Sequence, residues 1–385
     1  MTLVTGANVE VSVDDPPAVP LIDLLPIHQA LLPDLRAAFE RVVASTAFVA
    51  GDEVRNFEVA LAQFVRVPRA VGVGSGTAAL HLTLLAAGIG PGDEVILPPN
   101  TFFATAEAVM AAGATPVFVD VDPDTALIDP AAVGAAITNR TAAIIAVHLY
   151  GQPAPMDPLR RIADRYALFL LEDAAQAIGA TWDGEPVGSL GHAAAFSFYP
   201  AKNLGALGEA GAVTTRDGDL ADRVALLRGH GEATKNVHVR FGFNERLDGL
   251  QAAFLLAKLP HLEEAQKNRL EAVARYRELL ADMDQVRLLG TDARAGHVYH
   301  LLVVRVPRRD RVFGALKAKG IGVGIHYPTP IHLQPACHLL GRRGQFPHAE
   351  DLAATILSLP LFPGISAAQI ERSVECLANA LRSTL

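Results

Sequence analysis

From Ala70 to Thr215, short apolar and β-branched runs alternate with stretches rich in alanine and leucine. The runs predict strands at Ala70–Val73, Glu94–Leu97, Pro116–Val121, Ala142–Val147, Leu168–Glu172, Ala194–Phe198 and Ala212–Thr215. Strands spaced by helical stretches predict an α/β fold, a mostly parallel sheet wrapped by helices. Turn chemistry punctuates the pattern, with Gly90-Pro91-Gly92-Asp93 before one strand and Asp122-Pro123-Asp124 after another.

Beyond this region, Leu250–Met283 has few breakers apart from Pro260, which predicts a long helix bent at that proline. Val298–Val306 and Gly322–Ile325 read as strands, Arg311–Lys319 as a helix and Ala367–Ser383 as an amphipathic C-terminal helix. At 385 residues the chain exceeds one ordinary domain. The expected division is an N-terminal arm over 1–30, a large domain over 31–255 and a smaller C-terminal α/β domain over 256–385.

Composition narrows the classes. Half of the residues are hydrophobic and 19% are charged, which fits a compact globular chain. A net charge of −8 argues against general binding to a nucleic-acid backbone, so any bound phosphate must be held locally. Cys337 and Cys376 have neither metal-ligand nor disulfide spacing and are expected to be buried thiols in a reducing cytoplasm. Met1–Pro17 lacks the basic start and apolar run of a signal peptide. The apolar runs near Leu80 and Ile144 are interrupted by His81 and His148, so no bilayer-spanning stretch is expected.

Three segments carry candidate chemistry. In the first, Gly72-Val73-Gly74-Ser75-Gly76-Thr77 runs from a strand end into a helix that begins near Thr77. Exposed amides at such a terminus suit a phosphate, although glycines there also serve turns of positive φ. No Gly-Lys-Ser/Thr follows, so it is not a Walker loop. In the second, Leu170-Leu171-Glu172-Asp173-Ala174-Ala175-Gln176 places two carboxylates directly after an apolar strand, at the edge where α/β sheets bind ligands. Asp173 there could cap a helix or pair with a protonated pyridine nitrogen. In the third, Lys202 stands alone in the uncharged run Phe196-Ser197-Phe198-Tyr199-Pro200-Ala201-Lys202-Asn203-Leu204-Gly205. Most lysines are solvated surface charges, but desolvation in such a run would favour the free amine that a Schiff base requires.

The order glycine turn, aromatic loop Pro99–Thr105, acidic strand end and lysine loop resembles the DegT/DnrJ/EryC1/StrS family of sugar aminotransferases. These are pyridoxal-phosphate (PLP) enzymes of fold type I, with a mostly parallel seven-stranded sheet. The resemblance runs from about Phe48 to the C-terminus. It includes Gly242-Phe243-Asn244-Glu245-Arg246-Leu247-Asp248, His326-Tyr327-Pro328-Thr329-Pro330 and Leu357-Ser358-Leu359-Pro360-Leu361-Phe362-Pro363.

By position, the resemblance implies that Lys202 carries the cofactor and shuttles the proton while Asp173 holds the pyridinium. Gly76, Thr77 and Ser197 would bind the phosphate, Phe102 would lie on one ring face and Gln176 would contact the other. Asn244 would reach the phosphate of a partner subunit in a homodimer with shared sites. Tyr199, Arg246, His326 and Tyr327 are weaker candidates for substrate contacts. One departure is Gly208-Glu209-Ala210-Gly211, where the family commonly shows glycine in place of Ala210.

The wording around Lys202 is similar to the branch that aminates C3 of nucleotide-linked (dTDP) 3-keto-6-deoxyhexoses. Glutamate is the donor this implies. A 4-keto sugar and scyllo-inosose are the other substrate readings. A nucleotide-dependent oxidoreductase and a non-catalytic PLP-binding sensor are the readings of another class. The first predicts different downstream motifs, and lysine at position 202 argues against the second.

Overall fold

A computed structural model describes residues 18–383. The expectation for Met1–Pro17 lies outside them. The predicted strands form one sheet: β1 (Arg69–Val73), β2 (Glu94–Leu97), β3 (Thr115–Phe118), β4 (Thr141–Val147), β5 (Phe169–Asp173), β6 (Ala193–Ser197) and β7 (Gly211–Thr215). The seven strands lie in the order β1-β7-β6-β5-β4-β2-β3. Only β7 runs antiparallel to its neighbours β1 and β6.

The strands read as unbroken apolar runs because helices cover both faces. Side chains alternate across a strand, and so do their destinations. Val95, Leu97, Ile145 and Leu171 join one core, while Ile96, Ile144 and Leu170 join the other, with Phe57, Phe196 and Phe198.

The predicted long helix is two helices, α1 (Gly249–Lys258) and α2 (Leu262–Leu280), joined by a 3-10 turn at Leu259–His261. Pro260 explains the break, since it lacks the N–H that a continuous helix needs.

The C-terminal region departs from expectation in two places. Strand pairing begins only at Leu302, giving β8 (Leu302–Arg305), because Val298 N–H and Leu301 N–H donate instead to Gly151 O and Tyr150 O near the large sheet. Gly322–Ile325 forms no strand. Gly322 N–H donates to Val19 O at 2.7 Å, and a Cβ on Gly322 would lie 2.3 Å from Leu21 N, so the N-terminal arm occupies that edge. The sheet is built by β9 (Ile356–Leu359), antiparallel to β8, with Arg287–Leu288 on the other side of β8, and Gly324 reaches β9 only as an isolated bridge to Ser358. Leu302, Val304, Leu357 and Leu359 pack beneath Tyr276 of α2 and Leu377 of the C-terminal helix Ala367–Ser383. Val303 faces the core of the large sheet. Cys337 is buried as expected, whereas Cys376 is only half-buried. Among the described residues no helix is long and apolar enough to cross a membrane.

Candidate active site

Strands β1, β4, β5 and β6 present their C-terminal ends to one cavity of about 400 Å³, the edge at which such sheets bind ligands. β1 leads into the helix Gly76–Ala86, whose N-cap Ser75 accepts Ala78 N–H at 3.1 Å. That cap leaves the amides of Gly76 and Thr77 for a ligand at the first turn. A Cβ on Gly76 would stand 2.7 Å from Ser197 Cβ, so glycine lets the helix terminus and the end of β6 meet. Two amides, a helix terminus and the Ser197 hydroxyl fit a phosphate group.

The adjacent carboxylates of β5 separate by strand alternation. Glu172 turns away from the cavity, is fully buried, and accepts Gly188, Leu190 and Gly191 N–H at 3.0, 2.8 and 2.8 Å. His148, at the end of β4, lies 3.0 Å from it through Nε2 and accepts Ala154 N–H on Nδ1, which fixes its neutral Nε2–H tautomer. Asp173 faces the cavity, where Thr105 Oγ1 donates to Oδ2 at 2.7 Å and Ala175 N–H to Oδ1 at 3.2 Å. Burial raises its pKa; the hydrogen bonds from Thr105 and Ala175 and the charge of Lys202 oppose that shift.

Lys202 lines the same cavity, held by its N–H on Tyr199 O at 2.8 Å. Its side chain is partly open to the cavity, yet protein atoms surround the ammonium. That desolvation lowers its pKa to about 8 against the pull of Asp173. Asn203 braces the loop, donating through Nδ2 to Val298 O while Oδ1 faces His300 Nδ1. On the other side buried Lys258 donates to Gly205 O.

Phe102 is half-exposed at the mouth, its ring 5.5 Å from that of Tyr327. Gln176 is fixed at both ends: Oε1 accepts Tyr150 N–H at 2.6 Å, and Nε2 donates to Tyr327 Oη at 3.3 Å. One Nε2–H therefore remains for a ligand. Tyr199 and His326 also line the cavity, and burial with Lys202 nearby lowers His326 to about 4.

Asn244 and Arg246 do not reach it. Arg246 Nη2 donates to Asn244 Oδ1, and Glu245 O accepts Gly74 N–H at 2.9 Å behind the glycine turn. Ala210, at the departure from the family pattern, is fully buried and joins the core of Phe196 and Phe198, which absorbs its methyl group. The cavity also contains residues that sequence reasoning missed: Ile22, Thr101, Thr105, His148 and His300. His148 was detectable, since it ends a parallel strand as Asp173 does. Thr101 and Thr105 lie in the aromatic loop at helical spacing. Nothing local marked His300 or Ile22.

A desolvated lysine, an aspartate carboxylate and a glycine-led helix terminus around one cavity of a mostly parallel sheet fit a PLP-dependent transferase of fold type I. The chain belongs to the DegT/DnrJ/EryC1/StrS aminotransferase family, whose sequence model matches residues 31–378. It is 44% identical to dTDP-3-amino-3,4,6-trideoxy-alpha-D-glucose transaminase of Streptomyces venezuelae, over 94% of this chain and 96% of that protein. It is 48% identical to the erythromycin biosynthesis sensory transduction protein EryC1 of Saccharopolyspora erythraea, over 90% and 95%. A crystal structure of S. venezuelae DesV in complex with a ketimine intermediate superposes with a TM-score of 0.93 at 43% identity, over 94% and 98% of the two chains. Further solved relatives carry the cofactor as PLP or PMP.

Proposed function

We propose that this aminotransferase moves an amino group from glutamate onto C3 of a dTDP-linked 3-keto-6-deoxyhexose, with Lys202 and Asp173 as its catalytic residues. The observation that carries the catalytic reading is the convergence of these two side chains on one cavity. The similarity to a dTDP-3-amino sugar transaminase supports the choice of substrate.

When bound, PLP supplies an electron sink for a carbanion beside nitrogen. The chain's own residues do the rest. Gly76, Thr77 and Ser197 bind the phosphate, and Asp173 holds a proton on the ring nitrogen. Phe102 covers one ring face, and Gln176 directs its remaining Nε2–H at the other. Lys202, with its pKa lowered to about 8, offers a larger free-amine fraction than an ordinary lysine and moves the proton between donor carbon and cofactor. Ile22, Leu80, Val147 and Leu301 exclude water. Tyr199, His326 and Tyr327 stand at positions to meet the sugar.

Among the described residues lining the cavity, Lys202 is the only lysine or arginine. A dianionic phosphate needs more donors than one strand end and one helix terminus. That shortfall supports a homodimer in which Asn244 and Arg246 of a second copy complete the site. The same reading places the large domain over 31–255 and the small one over 256–385, in a cytoplasmic enzyme.

The deciding experiment offers glutamate with dTDP-linked 3-keto and 4-keto sugars and scyllo-inosose side by side, following 2-oxoglutarate and the aminated product. Turnover of the 3-keto sugar alone is expected. Preference for another acceptor would move the substrate assignment. Failure of glutamate to convert the visible cofactor absorbance to the shorter-wavelength amine form would return the chain to a sensor role.

A further inference from the structure

Thr101 and Thr105 form a short chain of buried hydroxyls that ends on Asp173. Thr105 Oγ1 donates to Asp173 Oδ2 at 2.7 Å, and Thr101 Oγ1 lies 2.9 Å from Thr105 Oγ1. Both threonines are at most 3% exposed. A hydroxyl has one proton to give, and an ionised carboxylate can only accept. Ala175 N–H on Oδ1 and the Lys202 cation in the same cavity surround Asp173 with groups that favour its ionised form. Thr105 therefore commits its proton to Asp173, and Thr101 must donate to Thr105. The direction of the pair, ambiguous from distance alone, is set by the carboxylate at its end.

We propose that Thr105, oriented by Thr101, is a positioning residue that keeps Asp173 ionised and aimed into the cavity for the cofactor's ring nitrogen. The proposal rests on the reading of Asp173 given above. Three observations support it. The Thr105 bond is the largest of the influences that oppose the upward push of burial on Asp173. Oδ1 and Oδ2 each accept one bond from the protein, which leaves lone pairs on the cavity side. Thr105 also lies in the first turn of the helix Phe103–Ala111, whose N-cap is Phe102 and whose Thr105 N–H donates to Phe102 O at 3.1 Å. One helix start thus sets both the stacking ring and the orientation of the carboxylate.

Losing the hydroxyl makes the carboxylate bind protons more tightly. The proton shared with the ring nitrogen then shifts toward Asp173, and the ring withdraws electrons less. The test uses full-length protein stripped of cofactor and reloaded with PLP. It measures the pH midpoint of the visible absorbance transition, the PLP dissociation constant and the melting of the cofactor-free form. For Thr105→Val the midpoint is expected to rise by about one pH unit and PLP binding to weaken about tenfold, as loss of a bond to a charged group implies. Thr105→Ser restores both, and Thr101→Val moves the midpoint the same way by less. A wild-type midpoint in Thr105→Val, with Asp173→Asn clearly shifted, overturns the proposal and leaves Asp173 in place. An unshifted midpoint in Asp173→Asn removes the reading of Asp173 and this proposal with it. If Thr105→Val does not fold, an unchanged midpoint in Thr101→Val is the overturning result.

Discussion

His148 Nε2 and Glu172 Oε2 lie 3.0 Å apart with both side chains fully buried, one residue along β5 from the carboxylate that faces the cavity. Glu172 also satisfies three backbone amides of the loop 188–191. Removing it strands those donors and the His148 N–H in the core, and each buried orphan costs about 1–3 kcal/mol. Glu172→Ala is expected to lose at least about 3 kcal/mol in urea unfolding of the cofactor-free protein. Asp173→Asn is expected to retain near-normal stability and lose nearly all turnover. Equal stability losses in the two variants would contradict the division of labour.

That division was half legible in the sequence. Asp173 and Lys202 stand out because one follows an apolar strand and the other is isolated in an uncharged run. Glu94–Leu97 could be bounded from sequence because both of its faces are buried, which makes Val95–Leu97 an unbroken apolar run behind the turn Gly90–Asp93. Gly322–Ile325 could not, since its fate depended on Val19, some 300 residues earlier in the chain and bridged to Ile321. His300 was invisible for the same reason: it lines the cavity directly, and its partner Asn203 is a neighbour only in the folded chain.

Gly76 offers a test of the phosphate cradle. A methyl group there meets Ser197 Cβ at 2.7 Å, so the helix terminus and β6 must part. Gly76→Ala is expected to weaken PLP binding by at least about tenfold, or 1.4 kcal/mol. The Kd from titration of the cofactor-free protein measures it. Ser197→Ala, which removes one donor and no space, should weaken binding less. The reverse order would place the phosphate elsewhere.

Lys202 should leave a mark on stability. Its folded pKa, about 8, lies below the value of about 10.4 for an unfolded lysine. Between those pH values the unfolded chain binds more protons, so stability rises with pH there. Below pH 8 the desolvation penalty is present in full; above both values it vanishes. Cofactor-free Lys202→Met is therefore expected to be more stable than the native protein at pH 7, with the gap closing toward pH 10.5. Urea unfolding at pH 7, 8, 9 and 10 measures it, and a gap constant with pH would mean that the lysine is not desolvated. Lys258, also near 8 and left intact, contributes equally to both proteins.

Asn244 is exposed and lies outside the cavity of its own chain, as does Arg246, while among the described residues lining that cavity Lys202 is the only lysine or arginine. If a second copy supplies these groups, each site draws on two chains. Lys202→Ala inactivates the site to which its chain contributes the lysine. A chain with Asn244→Ala and Arg246→Ala inactivates the neighbour's site instead. In a mixed dimer one site collects both lesions and the other is wholly native, so two inactive proteins together should recover activity. With random mixing of equal amounts, half of the dimers are mixed and each has one native site, so about a quarter of native activity is expected. Absorbance and native mass spectrometry would show cofactor loading and the fraction of mixed dimers. Mixed dimers without recovered activity would mean that the segment Gly242–Asp248 serves only its own chain, bracing the glycine turn through Gly74.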